Sequence, residues 1–156
     1  MNLLANYIKR ALYRRNLLYQ ENIEYIDDDC SRFVVPFTIS YGGPSYFEEK
    51  EIYVHLYVDD KYSLVDMYIT EYIFLKNAMG DFRKSLLLEQ MNTINMENSL
   101  CRFYIDDGWV LVKQSFDFIA TENLEYSANN IISTIFNNIS FYIADKAIIF
   151  EDLVDY

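Results

Sequence analysis

The chain's 156 residues suit a single domain with one core, and 52% hydrophobic against 24% charged residues excludes a disordered chain. A formal net charge of −11 disfavours general nucleic-acid binding, because so acidic a body repels a phosphate backbone, and leaves a basic partner open. The two cysteines, Cys30 and Cys101, make neither a disulfide framework nor a complete zinc site, and no segment approaches the roughly 20 apolar residues of a membrane span.

Asn2 to about Tyr19 reads as an amphipathic helix. Leu3, Leu4, Tyr7, Ile8, Ala11 and Leu12 recur at helical spacing, with Arg10 and Arg14 on the other side. A basic amphipathic helix suits a membrane surface, but here there is sheet for it to cover, and packing on its own domain is the expectation. The first twenty residues contain Lys9, Arg10, Arg14 and Arg15 and no acid, while the rest of the chain carries all 24 acids. With no signal-type apolar stretch at the start, the expected setting is cytoplasmic, with reduced thiols.

After an Asp27-Asp28-Asp29 turn, alternation over Phe33–Tyr41 predicts a first strand. Pro36 cannot donate to a ladder, which puts that strand at an edge or makes it bulge. Gly42-Gly43-Pro44 breaks it, and a loop follows through Glu48, Glu49 and Lys50. Glu51–Val58 is the second strand and Tyr62–Phe74 the third, joined by an Asp59-Asp60-Lys61 turn. Asp81 is the expected N-cap of a helix running to about Asn95, with Phe82, Leu86, Leu87, Met91 and Ile94 as its stripe. Leu100–Asp106 and Trp109–Ile119 form a hairpin around Asp107-Gly108. That two-residue turn fixes the register: Phe103 faces Val112 and Cys101 faces Gln114, while Tyr104 faces Leu111 and Arg102 faces Lys113 on the opposite surface. Thr121 caps a last helix whose stripe runs from Leu124 through Ile132 and Phe136 to Ile143, then less regularly towards Leu153.

The predicted class is α+β, in the order α-β-β-β-α-β-β-α, with one mostly antiparallel sheet and its helices packed on one face. The other sheet face is then left uncovered. It should carry Tyr53, His55, Tyr57, Tyr68, Tyr104, Trp109 and Leu111 rather than the usual Lys, Glu and Thr. Three explanations stand side by side: a partner-binding surface, a homodimer interface, and tyrosines that merely satisfy strand propensity.

Catalytic chemistry is poorly provided for. His55 is the only histidine, set in mid-strand without a second one to build a metal cluster. Cys101 falls on the core side of the hairpin, as an inert packed thiol does. No phosphate-cradling glycine loop, calcium loop or nucleophile elbow occurs. The expectation is a protein-binding module with no catalytic residue, metal or cofactor.

The stretch Leu86–Phe118 resembles the YbjN-like family, whose members look like type III secretion chaperones in fold. The pattern is Met91-Asn92-Thr93-Ile94-Asn95 at a helix end, then Cys101-Arg102-Phe103-Tyr104-Ile105-Asp106-Asp107-Gly108, then Val110-Leu111-Val112, with Asn95 and Arg102 at the matching positions. The resemblance implies a homodimer with a non-enzymatic, chaperone-like or regulatory role, holding an extended segment of a client protein. From charge alone, an acidic immunity protein that neutralises a basic toxin is the alternative, and a small enzyme with an unrecognised site is a third.

Overall fold

Strands alternating apolar and polar residues build a sheet with one dry face, and amphipathic helices then bury that face. A computed structural model describes residues 3–17, 23–25, 28–43, 46–75, 80–97, 101–117 and 123–154. The sheet comprises β1 (Ile23–Tyr25), β2 (Cys30–Gly43), β3 (Tyr46–Asp59), β4 (Leu64–Phe74), β5 (Cys101–Asp106) and β6 (Trp109–Asp117), in the spatial order β1-β2-β3-β4-β6-β5. Every neighbouring pair is antiparallel. Helices α1 (Leu3–Arg14), α2 (Asp81–Glu97), α3 (Leu124–Asn138) and α4 (Ala144–Val154) complete the fold, with a π-helical segment, Ile139–Ile143, joining the last two. The predicted class and order hold, and the three-residue β1 is an addition to them.

The core face is a lattice of aligned residues. Phe33 pairs with Leu56 and Leu56 with Met67; Val35 pairs with Val54, Val54 with Ile69, Ile69 with Val112, and Val112 with Phe103. All are buried, and they share one cluster with Ile8 and Leu12 of α1, Leu87 and Met91 of α2, and Ile132 and Ile135 of α3. Each such side chain contributes about 1.5–3 kcal/mol on leaving water.

Several boundaries differ from expectation for identifiable reasons. Helix α1 stops at Arg14, well short of Tyr19, because Asn16 takes a left-handed φ of 56°. The Leu17 amide then donates to the Leu12 carbonyl and the Asn16 amide to that of Tyr13, a Schellman stop. At its other end, Asp60 of the β3–β4 turn accepts from the Leu4 amide at 2.6 Å and the Ala5 amide at 3.4 Å. That turn acid therefore serves as an N-cap supplied from elsewhere in the chain. The expected loop through Glu48–Lys50 is strand, because β2 and β3 continue as one long hairpin to Gly43 and Tyr46. Among the described residues β1 pairs only with Ser31–Phe33, so β2 is an edge at Pro36, where its missing donor does no harm. Helix α2 buries Leu87, Met91 and Ile94, whereas Phe82 is 77% exposed and leaves the predicted stripe. Helix α3 is capped by Asn123, whose side chain accepts from the Glu125 and Tyr126 amides at 3.0 and 3.3 Å. The expected cap Thr121 lies outside the described residues.

The irregular end of the last stripe has a cause in the π-helical segment. There the Ala144 amide reaches back to the Ile139 carbonyl, one residue further than in an α-helix. The slip keeps Ile139, Ile143, Ala147 and Phe150 buried along one continuous seam.

Candidate partner-binding face

Strand alternation puts two sets of residues on the opposite side of the sheet. One register row runs Val34, His55, Tyr68, Lys113, Arg102, and the next runs Arg32, Tyr57, Asp66, Ser115. Among the described residues no helix packs on this side, since the helices gather on the face that carries the buried cluster.

The structure brings His55, Tyr57 and Tyr68 together. The Tyr57 and Tyr68 rings meet edge to face at 5.5 Å between centroids, and the Lys113 ammonium sits 5.3 Å from the Tyr68 centroid. Tyr53 is 42% exposed on the same strand, and Tyr104 is half-buried across the hairpin from Leu111.

Leu111 departs from expectation. It points to this side, as the register requires, but is only 8% exposed beside its cross-strand partner Tyr104, so it offers little to a partner. Trp109 stands apart at the far end of the sheet. A bulge in β4 between Ile69 and Ile73 adds two residues and so keeps the alternation of the positions that flank it; Phe74 pairs with Trp109, and their rings meet edge to face at 5.0 Å. Exposed Phe74 thus joins the surface, on the side that alternation from Asp66 and Tyr68 gives it. The aromatics form two groups, one around Tyr57 and Tyr68 and one at Phe74 and Trp109.

A depression of about 450 Å³ opens on the first group, lined by Cys30, Tyr57, Asp59, Leu64, Asp66, Tyr68 and Thr70. A second depression, about 360 Å³, shares Cys30 and Asp59 with it and adds Asp28, Asp29, Lys61 and Tyr62. Among the described residues the walls are therefore aromatic and acidic, with Lys61 as the one base. Asp59 holds its turn by accepting from the Tyr62 amide at 3.0 Å, and Asp66 accepts from the Ser115 hydroxyl, each through Oδ1. Among the described residues no three His, Cys, Asp or Glu side chains converge as a metal-binding group. Nor is any described helix long and apolar enough to cross a membrane.

His55 lies against Thr70, its Nε2 3.4 Å from the Thr70 Oγ1, while its buried Nδ1 meets no partner among the described residues. Burial first, then the nearby Arg32 charge, lowers its pKa below the ordinary 6.5, with Glu71 partly opposing. The folded state thus prefers the neutral ring, and the stability tied to it is complete above pH 6.5 and declines as pH falls through that value. Urea titrations at pH 7.5 and 5.5 should show a smaller loss on acidification for His55→Gln than for the parent chain. Equal losses would remove His55 from this account.

Cys101, placed on the core side by sequence, is buried there, and burial pushes its thiol up to about 12. Sequence reasoning missed a second polar cluster, on the helix-covered side. The Tyr41 hydroxyl contacts Glu151 at 2.6 Å and Glu48 at 3.0 Å, and the Lys50 ammonium donates to the Tyr72 carbonyl. Burial lowers Lys50 and raises Glu151 relative to their ordinary ranges. This cluster fastens α4 to the end of the β2–β3 hairpin. Nothing local in the sequence marks it, because Glu151 is 110 residues from Tyr41.

No family model, curated protein or solved structure matches the chain. The fold therefore defines a class only: an α+β domain whose described helices cover one face of its sheet.

Proposed function

We propose that the protein is a non-enzymatic, chaperone-like or regulatory binding module that takes a protein partner on its uncovered sheet face, in a cytoplasmic setting. The carrying observation is the grouping of Tyr57, Tyr68 and half-buried His55 beside a depression, on a side of the sheet that no described helix packs against. Solvated strands ordinarily carry charged and small polar residues there, and an aromatic surface with polar tips is the composition of interfaces. The resemblance of Leu86–Phe118 to the YbjN-like family supports the same reading, including its expected homodimeric state.

Face docking is favoured over strand addition at β5. Asn95 occupies both outward backbone groups of Phe103 on edge strand β5, so an added strand would have to displace it. The test is capture from native lysate by the parent chain and by a Tyr57→Ala/Tyr104→Ala variant. Loss of one specific partner in the variant is the expected result, and undiminished capture of that partner rejects this surface. The acidity of the depressions and the net charge of −11 also favour a second reading, an immunity-type inhibitor of a basic toxin. It predicts an association rate that falls steeply with salt.

A further inference from the structure

We infer that the Tyr57–Tyr68 depression receives a Lys or Arg side chain from an extended, basic segment of the partner. This deepens the reading of the uncovered face as a protein-binding surface and rests on it. The depression is chemically complementary to a cation. The lining joins two aromatic rings to two carboxylates, those of Asp59 and Asp66, and includes no base. A cation is attracted both to an aromatic face and to a carboxylate, and this pairing of groups attracts it more strongly than either does alone.

The face already displays this chemistry within the chain, where Lys113 sits over Tyr68. Asp59 and Asp66 each give Oδ1 to one neighbour, the Tyr62 amide and the Ser115 hydroxyl, and the Lys113 charge also acts on Asp66. The adjoining depression continues the same sign with Asp28 and Asp29, against Lys61 alone. A segment crossing both depressions would therefore meet four carboxylates. Arg32, Lys113 and Arg102 flank the acidic zone on neighbouring strands. They would repel a segment that was basic throughout and so fix its position along the sheet.

The experiment is selection of a random displayed library of peptides of about 12 residues, long enough in extended form to cross the sheet. Selection uses the full chain, with folding of each variant checked by circular dichroism. Selected peptides should be enriched in Lys and Arg and should bind about tenfold more weakly to Asp59→Asn/Asp66→Asn, with Asn preserving the Tyr62 and Ser115 hydrogen bonds. Glu89→Gln/Glu97→Gln makes the same change in charge on exposed positions of α2 and should alter affinity by less than about twofold. Bound peptide should also slow alkylation of Cys30, which lines both depressions.

Peptides that depend on Tyr57→Leu but show no basic enrichment and ignore both Asp substitutions would overturn the cation assignment while leaving the face reading intact. Equal weakening by the α2 control would reduce the effect to net charge and overturn the site. Peptides indifferent to Tyr57→Leu, or no selected peptide, would overturn both. A dimer that Tyr57→Leu dissociates would make the occupant a second copy and likewise overturn the inference.

Discussion

Truncating Phe103 to Ala should lower the unfolding free energy by about 3–5 kcal/mol, the usual cost of removing a large aromatic side chain from a packed core. Phe103 is 1% exposed and lies where β5, β4, the π-helical segment and α4 converge. Its ring is 5.3 Å from that of Phe150, 5.8 Å from Tyr72 and 6.3 Å from Tyr142. Neighbours on three separate elements cannot collapse together into the void, which puts the loss at the upper part of that range. Since small domains hold only about 5–15 kcal/mol in total, urea denaturation should show a much lower midpoint. Tyr72→Phe offers a finer comparison. The Tyr72 hydroxyl donates to the Ile143 carbonyl inside the protein, and removing it should cost about 1–3 kcal/mol without opening a cavity of comparable size. If Phe103→Ala cost no more than Tyr72→Phe, the aromatic junction would not be the keystone described here.

The second large effect is expected at Asn95. Its side chain donates to the Phe103 carbonyl and accepts from the Phe103 amide, both at 2.8 Å. One amide side chain thereby stands in for a neighbouring strand at the β5 edge and ties the end of α2 to the hairpin. Asn95→Ala orphans both backbone groups and should cost about 1–3 kcal/mol. Asn95→Asp is more discriminating. The carboxylate still accepts from the amide but repels the carbonyl, whereas its protonated form donates and accepts as Asn does. The stability gap between Asn95→Asp and the parent chain should therefore narrow as pH falls towards the carboxyl's pKa, while the Asn95→Ala gap stays constant. A pH-independent gap for Asn95→Asp would contradict the bidentate geometry.

How far these features were legible in the sequence depends on the range of the interactions that make them. The β5–β6 register follows from the two-residue Asp107-Gly108 turn, and all four predicted pairs are present because such a turn leaves no slack. The assignment of faces was readable for β3 and for β4 as far as Ile69, where alternation is strict. It failed at Glu71 and Tyr72, because a bulge is a choice made by two strands together: Tyr72 is buried although alternation gives it the open face, while Ile73 and Phe74 return to the alternation. The β2–β3 hairpin looked like a loop because Glu48 and Lys50 occupy helix-facing positions. They are tolerated there only through Tyr41, Glu151 and the Tyr72 carbonyl. Asp60 looked like an ordinary turn acid, yet it caps α1 across more than fifty residues.

The candidate site was legible as a list of residues but not as a shape. Tyr57, Tyr68 and His55 could be placed on one face by parity alone. Burial of Leu111 and separation of Trp109 follow from packing and from the β4 bulge. The acidic wall was absent from the predicted site because Asp59 and Asp66 read as a turn residue and a solvated strand position. Cross-strand register puts Asp66 beside Tyr57, and only then do the carboxylates and the rings enclose one depression.

The central claim is that the uncovered face meets a protein other than this one. It is tested most directly by placing a photo-crosslinking phenylalanine analogue at Tyr57 in the native cell, with exposed Glu89 of α2 as the control position. Irradiation should yield one discrete adduct with a different protein from position 57 and none from position 89. An adduct only with a second copy of the chain, or the same adducts from both positions, would contradict the account.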